Sequence, residues 1–265
     1  MHTLCRNTIV FGFILTFLLP FAASVHAAER FDHEHSQWAQ VLDEYVVWSG
    51  ARSAVDYAAL QASPGKLDTY LSSLSAVTPK QYDAFTSDER LAFLINAYNA
   101  FTLRHIINHY PTDSIRSTRF IRSPWKLRFF ELLGEERHLD EIEHEMIRPV
   151  FNEPRIHFVL VCAARGCPPL RAEPYVASRL EKQLEDATLN FMRDEGRNRF
   201  EPSSQTLQLS SLYKWYGEDF EQGGQSIRSY VAPYMTDDEA TRTQIRNAGE
   251  IRFLDYDWSL NDVGN

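Results

Sequence analysis

Residues 155–171 read RIHFVLVCAARGCPPLR. The first nine, 155–163, carry an unbroken apolar core of β-branched and aromatic residues, which predicts a buried central strand rather than an alternating edge strand. The turn-forming run Arg165-Gly166-Cys167-Pro168-Pro169 follows. A helix is then expected over 175–192, with Leu180, Leu184, Ala187 and Phe191 on one face. Upstream, the strongest helical period runs over 87–110, through Leu91, Leu94, Ile95, Tyr98, Thr102 and Ile106. Ser87 is its expected cap and Pro111 its stop. Further helices are expected over 38–48 and 67–76, and from an Asp140 cap to Ile147, with Glu143 completing a capping box. Short strands are expected near 199–210 and a last one over 251–258. No repeat or linker interrupts this pattern, so the fold class is α+β: a single domain of many helices packed around a small central sheet.

The chain carries 27 Lys+Arg against 36 Asp+Glu, a net charge of −9. That excess of acid argues against nucleic acid as a partner, because phosphate binding runs on positive charge. Residues 1–27 read as a signal peptide: Arg6, an uncharged run over 9–23, and the small-x-small triplet Val25-His26-Ala27. The run is short for a membrane span. The protein is therefore expected in the periplasm or secreted, cleaved near Ala27, with no integral membrane segment after processing. Cleavage removes one arginine and no acid, which moves the net charge to −10. A helical segment over 28–50 then precedes the globular domain of 51–265. His33 and His35, near its start, are expected to be solvated.

The same cleavage removes Cys5 and leaves Cys162 and Cys167. In an oxidising compartment a Cys-x4-Cys pair can close a structural disulfide. A reactive thiol is the second reading, since Cys162 ends the expected strand, Cys167 precedes a helix, and Arg165 and Arg171 lie close in sequence. Inert buried thiols are the third. His157 sits five residues before Cys162. On a strand that odd spacing sends the two side chains to opposite faces, about 16 Å apart along the chain. A partner base is then expected from another element, with His144 beside Glu143 favoured and His105 and His109 as further candidates. Asn96 and Asn99 share one helix face and border an apolar stripe, so they either fasten neighbouring loops or line a ligand site. No spacing matches a standard zinc pattern, and no GxSxG, P-loop or GxGxxG occurs, so neither metal nor cofactor is expected. Residues 112–137 hold Arg116, Arg119, Arg122, Lys126 and Arg128, a basic stretch that suits either a solvated loop or an anionic substrate.

Five blocks together resemble the DUF547 family: LAFLINAYNAFTL (91–103), LDEIEHEMIRPVF (139–151), RIHFVLVCAARGCPPLR (155–171), SSLYKWYGEDF (210–220) and FLDYDWSLN (253–261). The resemblance spans most of 57–261. It implies a family of unknown function whose bacterial members are often exported. It also implies that a cysteine is kept more steadily at Cys162 than at Cys167, where plant members can show Ser.

A helix packed on a His-bearing strand is also the layout of papain-like and transglutaminase-like folds, an analogy of architecture alone. The first functional expectation is a thiol-dependent, papain-like hydrolase or transferase acting on a peptide, amide or thiol-containing small molecule. Cys162 or Cys167 would be the nucleophile, His157 or His144 the base and Glu143 its orienter. Asn96, Asn99, Arg148 and Arg165 would bind substrate. The alternative is a non-catalytic module that binds a peptide or metabolite, with a structural Cys162–Cys167 disulfide. The oligomeric state is not legible in the sequence.

Overall fold

A computed structural model describes residues 30–118 and 123–264. The expected signal segment, Arg119 and Arg122 lie outside the described residues. The element around which the rest is laid is the helix Ser87–Ile107. Its N-cap is Thr86, not Ser87, because Glu89 stands three residues on and closes a capping box with Thr86. The helix is buried almost all round, and Phe93, Ile95, Ala97 and Leu103 sit at the centre of the larger of two hydrophobic clusters. Helices Ser36–Tyr45 and Gly65–Ser75 pack into the same cluster through Trp38, Leu42, Leu67 and Leu74. A second cluster gathers Phe158, Phe191, Tyr213 and Phe220 around the helix Leu180–Met192.

The class is α+β, many helices around small open sheets, but there is no central sheet among the described residues. Two hairpins pair Val46–Ser49 with Arg52–Val55 and Phe130–Leu132 with Glu135–Arg137. A third sheet sets Thr206–Leu209 between Arg199–Glu201, antiparallel, and Glu250–Phe253, parallel.

The expected strand over 155–163 is absent. Pro154–Phe158 is a 3₁₀ helix, started by Pro154 and by the Glu153 carboxylate accepting the Arg155 N–H at 3.1 Å. Beyond it the chain runs irregularly, and its buried peptide groups find partners outside any strand ladder at Val159 and Val161. The Asn99 amide donates to the Val159 carbonyl at 2.9 Å, and its oxygen accepts the Val161 N–H at 2.9 Å. Asn96 does the same for Tyr175, at 2.7 and 3.0 Å. Two carboxamides thus replace the neighbouring strands that an apolar run of this kind ordinarily requires. Full burial without a sheet gives the same continuous apolar pattern as a central strand, which is why periodicity cannot separate them.

The C-terminal run departs likewise. The expected strand over 251–258 stops at Phe253, and the chain then lies along the cysteine loop. Arg165 N–H donates to the Ser259 carbonyl at 2.9 Å, Gly166 N–H to the Asp257 carbonyl at 2.8 Å and Asn261 N–H to the Ala163 carbonyl at 3.1 Å. Gly166 is required here, because a Cβ would meet the Asp257 backbone at 2.9 Å. His35 is buried rather than solvated. Its Nδ1 lies 2.7 Å from the Tyr70 hydroxyl, and burial pushes its pKa down to about 3.

Asn99→Ala should cost roughly 3 kcal/mol, because it leaves one buried carbonyl and one buried N–H without partners. Urea unfolding followed by circular dichroism measures this. A loss below about 1 kcal/mol would mean that the segment holds its path without the amide.

Candidate functional site

The irregular path of 159–167 opens a cavity of about 250 Å3. Cys162, Cys167, His157, Glu143 and His144 all line it. The strand argument that separated His157 from Cys162 therefore fails. A 3₁₀ turn followed by irregular chain has no alternation of faces, and both residues meet the same cavity.

His157 is held from behind. Its Nε2 lies 2.6 Å from Asp219 Oδ2. An ionised carboxylate only accepts, so Nε2 carries the proton of this bond. Asp219 in turn receives Arg148 in a bidentate fork, Nε at 2.7 Å and Nη2 at 2.9 Å. Burial raises the Asp219 pKa, but the bonds from His157 and Arg148 outweigh it and hold the carboxyl well below the usual range. The Tyr216 ring stacks on His157 at 4.0 Å between centroids and 24° between planes. Arg148 Nη1 donates to His144 Nδ1 at 2.8 Å, so that nitrogen is unprotonated.

Glu143 and His144 stand on a π-helical stretch, Ile142–Ile147, between the α-helical turns Leu139–Glu141 and Arg148–Phe151. Such wide turns recur at functional sites because they shift side chains off the regular α register. The helix is capped by His138, whose Nδ1 accepts the Glu141 N–H at 3.0 Å, and not by Asp140. Glu143 is not the orienter of His157. Burial, together with the Glu143 charge close by, pushes the Tyr216 pKa up.

Both cysteines are free, so the expected Cys162–Cys167 disulfide is not formed. Cys167 Sγ instead accepts the Cys162 backbone N–H at 2.8 Å, and Cys162 Sγ lies 3.3 Å from the Tyr256 hydroxyl. Burial and the bond to Cys167 push the Cys162 thiol well up. Burial also opposes ionisation of Cys167. The Cys162 thiol and N–H, the Tyr256 hydroxyl and the Arg197 charge outweigh it and bring that thiol down. Arg197 also fixes the loop, donating from Nη2 to the carbonyls of Arg165 and Cys167 at 2.9 and 2.8 Å.

The remaining expected residues fall elsewhere. Asn96 and Asn99 are loop clamps with their amides bonded to backbone, and neither lines the cavity. Arg148 acts through Asp219. Arg165 lines a separate cavity of about 340 Å3, together with Arg52 and Arg197. His105 bonds Thr118 at 2.7 Å and His109 bonds the His105 carbonyl at 2.8 Å, both away from the cavity. The basic stretch is largely paired where it is described: Lys126 is 3.6 Å from Asp140 and Arg128 is 3.3 Å from Glu141. Among the described residues, no group of three or more His, Cys, Asp and Glu side chains is placed to hold a metal ion. None of the described helices is long and apolar enough to cross a membrane.

Residues 82–192 match the model of DUF547, described as a protein of unknown function. The match takes in the long helix, the Glu143-bearing helix and both cysteines, whereas Asp219 and Tyr256 fall outside it. No curated protein and no solved structure matches the chain.

Asp219→Asn tests the clamp behind His157. A carboxyl whose folded pKa is depressed stabilises fully above its ordinary value of 3.8 and loses that contribution as pH falls toward the folded value. Melting temperatures taken from pH 7 to pH 2 should fall more steeply in the wild type than in the variant below about pH 4. Parallel curves would show that the Arg148–Asp219–His157 chain adds nothing to stability.

Proposed function

We propose that the cavity is a thiol-dependent acyl-transfer site, hydrolase or transferase, for a peptide, amide or thioester-like small molecule. The observation that carries this reading is that Cys162 shares its cavity with an imidazole already oriented by a carboxylate, His157 on Asp219 at 2.6 Å. Nucleophile, base and orienter are the three roles that covalent acyl transfer needs. Cys162 Sγ attacks the carbonyl carbon and passes its proton to His157 Nδ1, while the C=O pair moves onto oxygen. Collapse expels the leaving group, which takes the proton back from His157, and a thioester remains on Cys162. Water or a second nucleophile then attacks that thioester and releases the sulfur.

Because burial pushes the Cys162 thiol up, the resting group is a thiol, and the base is needed in the attack itself. Tyr256, 3.3 Å from the sulfur, is placed to restrain it. Arg148 serves as a positioning residue through Asp219. The reading also keeps the protein exported, in the periplasm or outside the cell, on the strength of residues 1–27.

The test is acetylation by p-nitrophenyl acetate, followed by the nitrophenolate burst and by peptide mass mapping. The acetyl group is expected on Cys162. His157→Ala should slow its formation about 10²–10⁴-fold, the usual contribution of a general base. Asp219→Asn should slow it less. Acetylation on Cys167 instead, or a His157→Ala rate equal to the wild type, would overturn the assignment.

A further inference from the structure

Four aromatic rings form one side of the cavity beyond the sulfurs. Trp125 packs on Trp258 at 5.9 Å, Tyr256 on Trp258 at 4.6 Å, and Trp215 on Tyr256 and Trp258 at 4.8 and 5.6 Å. All four line the cavity, and Trp215 is 45% exposed, which puts it at the mouth. The ring faces that line the cavity are therefore partly accessible from its mouth. The charged groups of the same wall point one way. The lining carboxylates are Asp140 and Glu143, and among the described residues no lysine or arginine lines the cavity. Asp140 has Lys126 nearby, at 3.6 Å. Glu143 is only 7% exposed, lies 3.9 Å from His144 and feels the charge of the Arg148 guanidinium, which stands outside the lining. The outer ring system already attracts a cation, since the Arg116 guanidinium stands 5.1 Å from the Trp258 centroid.

Indole faces beside a buried carboxylate are the surroundings that bind alkylammonium groups, through the ring quadrupole and the charge together. We infer that the cavity takes a substrate bearing an alkylammonium group, the cation against the indoles of Trp125, Trp215 and Trp258 and its charge answered by Glu143. This inference rests on the reading of the cavity as the acyl-transfer site and specifies the substrate for it. A sugar ring also stacks on indole and its hydroxyls can donate to a carboxylate, but it brings no charge, so charge is the property that discriminates.

The probes are choline and its neutral isostere 3,3-dimethylbutan-1-ol, titrated into the whole protein by tryptophan fluorescence and calorimetry. Choline should bind about tenfold more tightly than the alcohol. Glu143→Gln should remove that preference and leave the affinity for the alcohol unchanged. Trp215→Ala, with an unchanged circular dichroism spectrum and melting transition as the check on folding, should weaken choline binding several-fold. Equal affinities for the two probes, a Glu143→Gln variant that keeps the preference, or no saturable choline signal would each overturn the inference. The two readings fail separately. Selective choline binding without Cys162 acetylation would leave the cation site and remove the chemistry. Acetylation without choline selectivity would do the reverse.

Discussion

The carboxamide of Asn99 holds the chain that lines the cavity. A buried chain needs partners for its peptide groups, and in most domains of this class a sheet supplies them. Here one side chain on the helix Ser87–Ile107 takes the Val159 carbonyl and the Val161 N–H at once. Asn96, three residues earlier on the same helix face, takes both groups of Tyr175. The chain between these two anchors belongs to no strand and, among the described residues, is bridged only to the C-terminal run at Ala164 and Leu260, so it can turn at Ala163, which has a φ of 58°, and place two sulfurs at one cavity. The rigidity of the site therefore comes from a helix that contributes only Tyr98 to its lining.

This arrangement explains what the sequence shows and what it hides. The long helix is legible because its apolar period is sustained over twenty-one residues, although its cap is Thr86 and not the expected Ser87. The helix Gly65–Ser75 and the last long one, Leu180–Met192, follow for the same reason. The run 155–163 is not legible, because periodicity reports burial, and burial on all sides looks alike in a central strand and in an irregular chain held by amides. The clue was present on the other element: two asparagines are poor residues for a helix interior, and there they signal backbone groups to be satisfied. Reading them as clamps and the apolar run as a strand were competing accounts of the same peptide groups, and the amides do the work of the sheet.

For the site, the residue types were legible and the pairings were not. Cys162, Cys167, His157, His144 and Glu143 do meet in one cavity. The partner of His157 is Asp219, 62 residues away, and the neighbour of Cys162 is Tyr256, 94 residues away. Neither distance leaves a local pattern, and no composition rule selects Asp219 over Glu143 as the carboxylate on the imidazole. What selects it is the course of the chain after Leu212, which folds the aromatic segment 212–220 over the 3₁₀ turn and stacks Tyr216 on His157. The stretches SSLYKWYGEDF and FLDYDWSLN, which bear Asp219 and Tyr256, carry the resemblance but lie outside the matched residues 82–192.

The two sulfurs divide their labour by hydrogen bonding. Cys167 accepts the N–H of Cys162 and feels the charge of Arg197, so any negative charge the pair carries rests there. Cys162 is thereby kept as the protonated partner. A standing thiolate at Cys162 would have to form against that neighbour and in a buried setting, which is the costly arrangement. A thiol that loses its proton only as the carbon–sulfur bond forms avoids the cost, provided that a base is already aimed and need not reorganise. On the proposed reading, the Asp219 bond holds the His157 ring and the Arg148 fork holds Asp219, so the base would be positioned before substrate arrives. On this account the clamp behind the histidine and the second cysteine are two parts of one device: one readies the acceptor of the proton, and the other keeps the proton in place until it is needed.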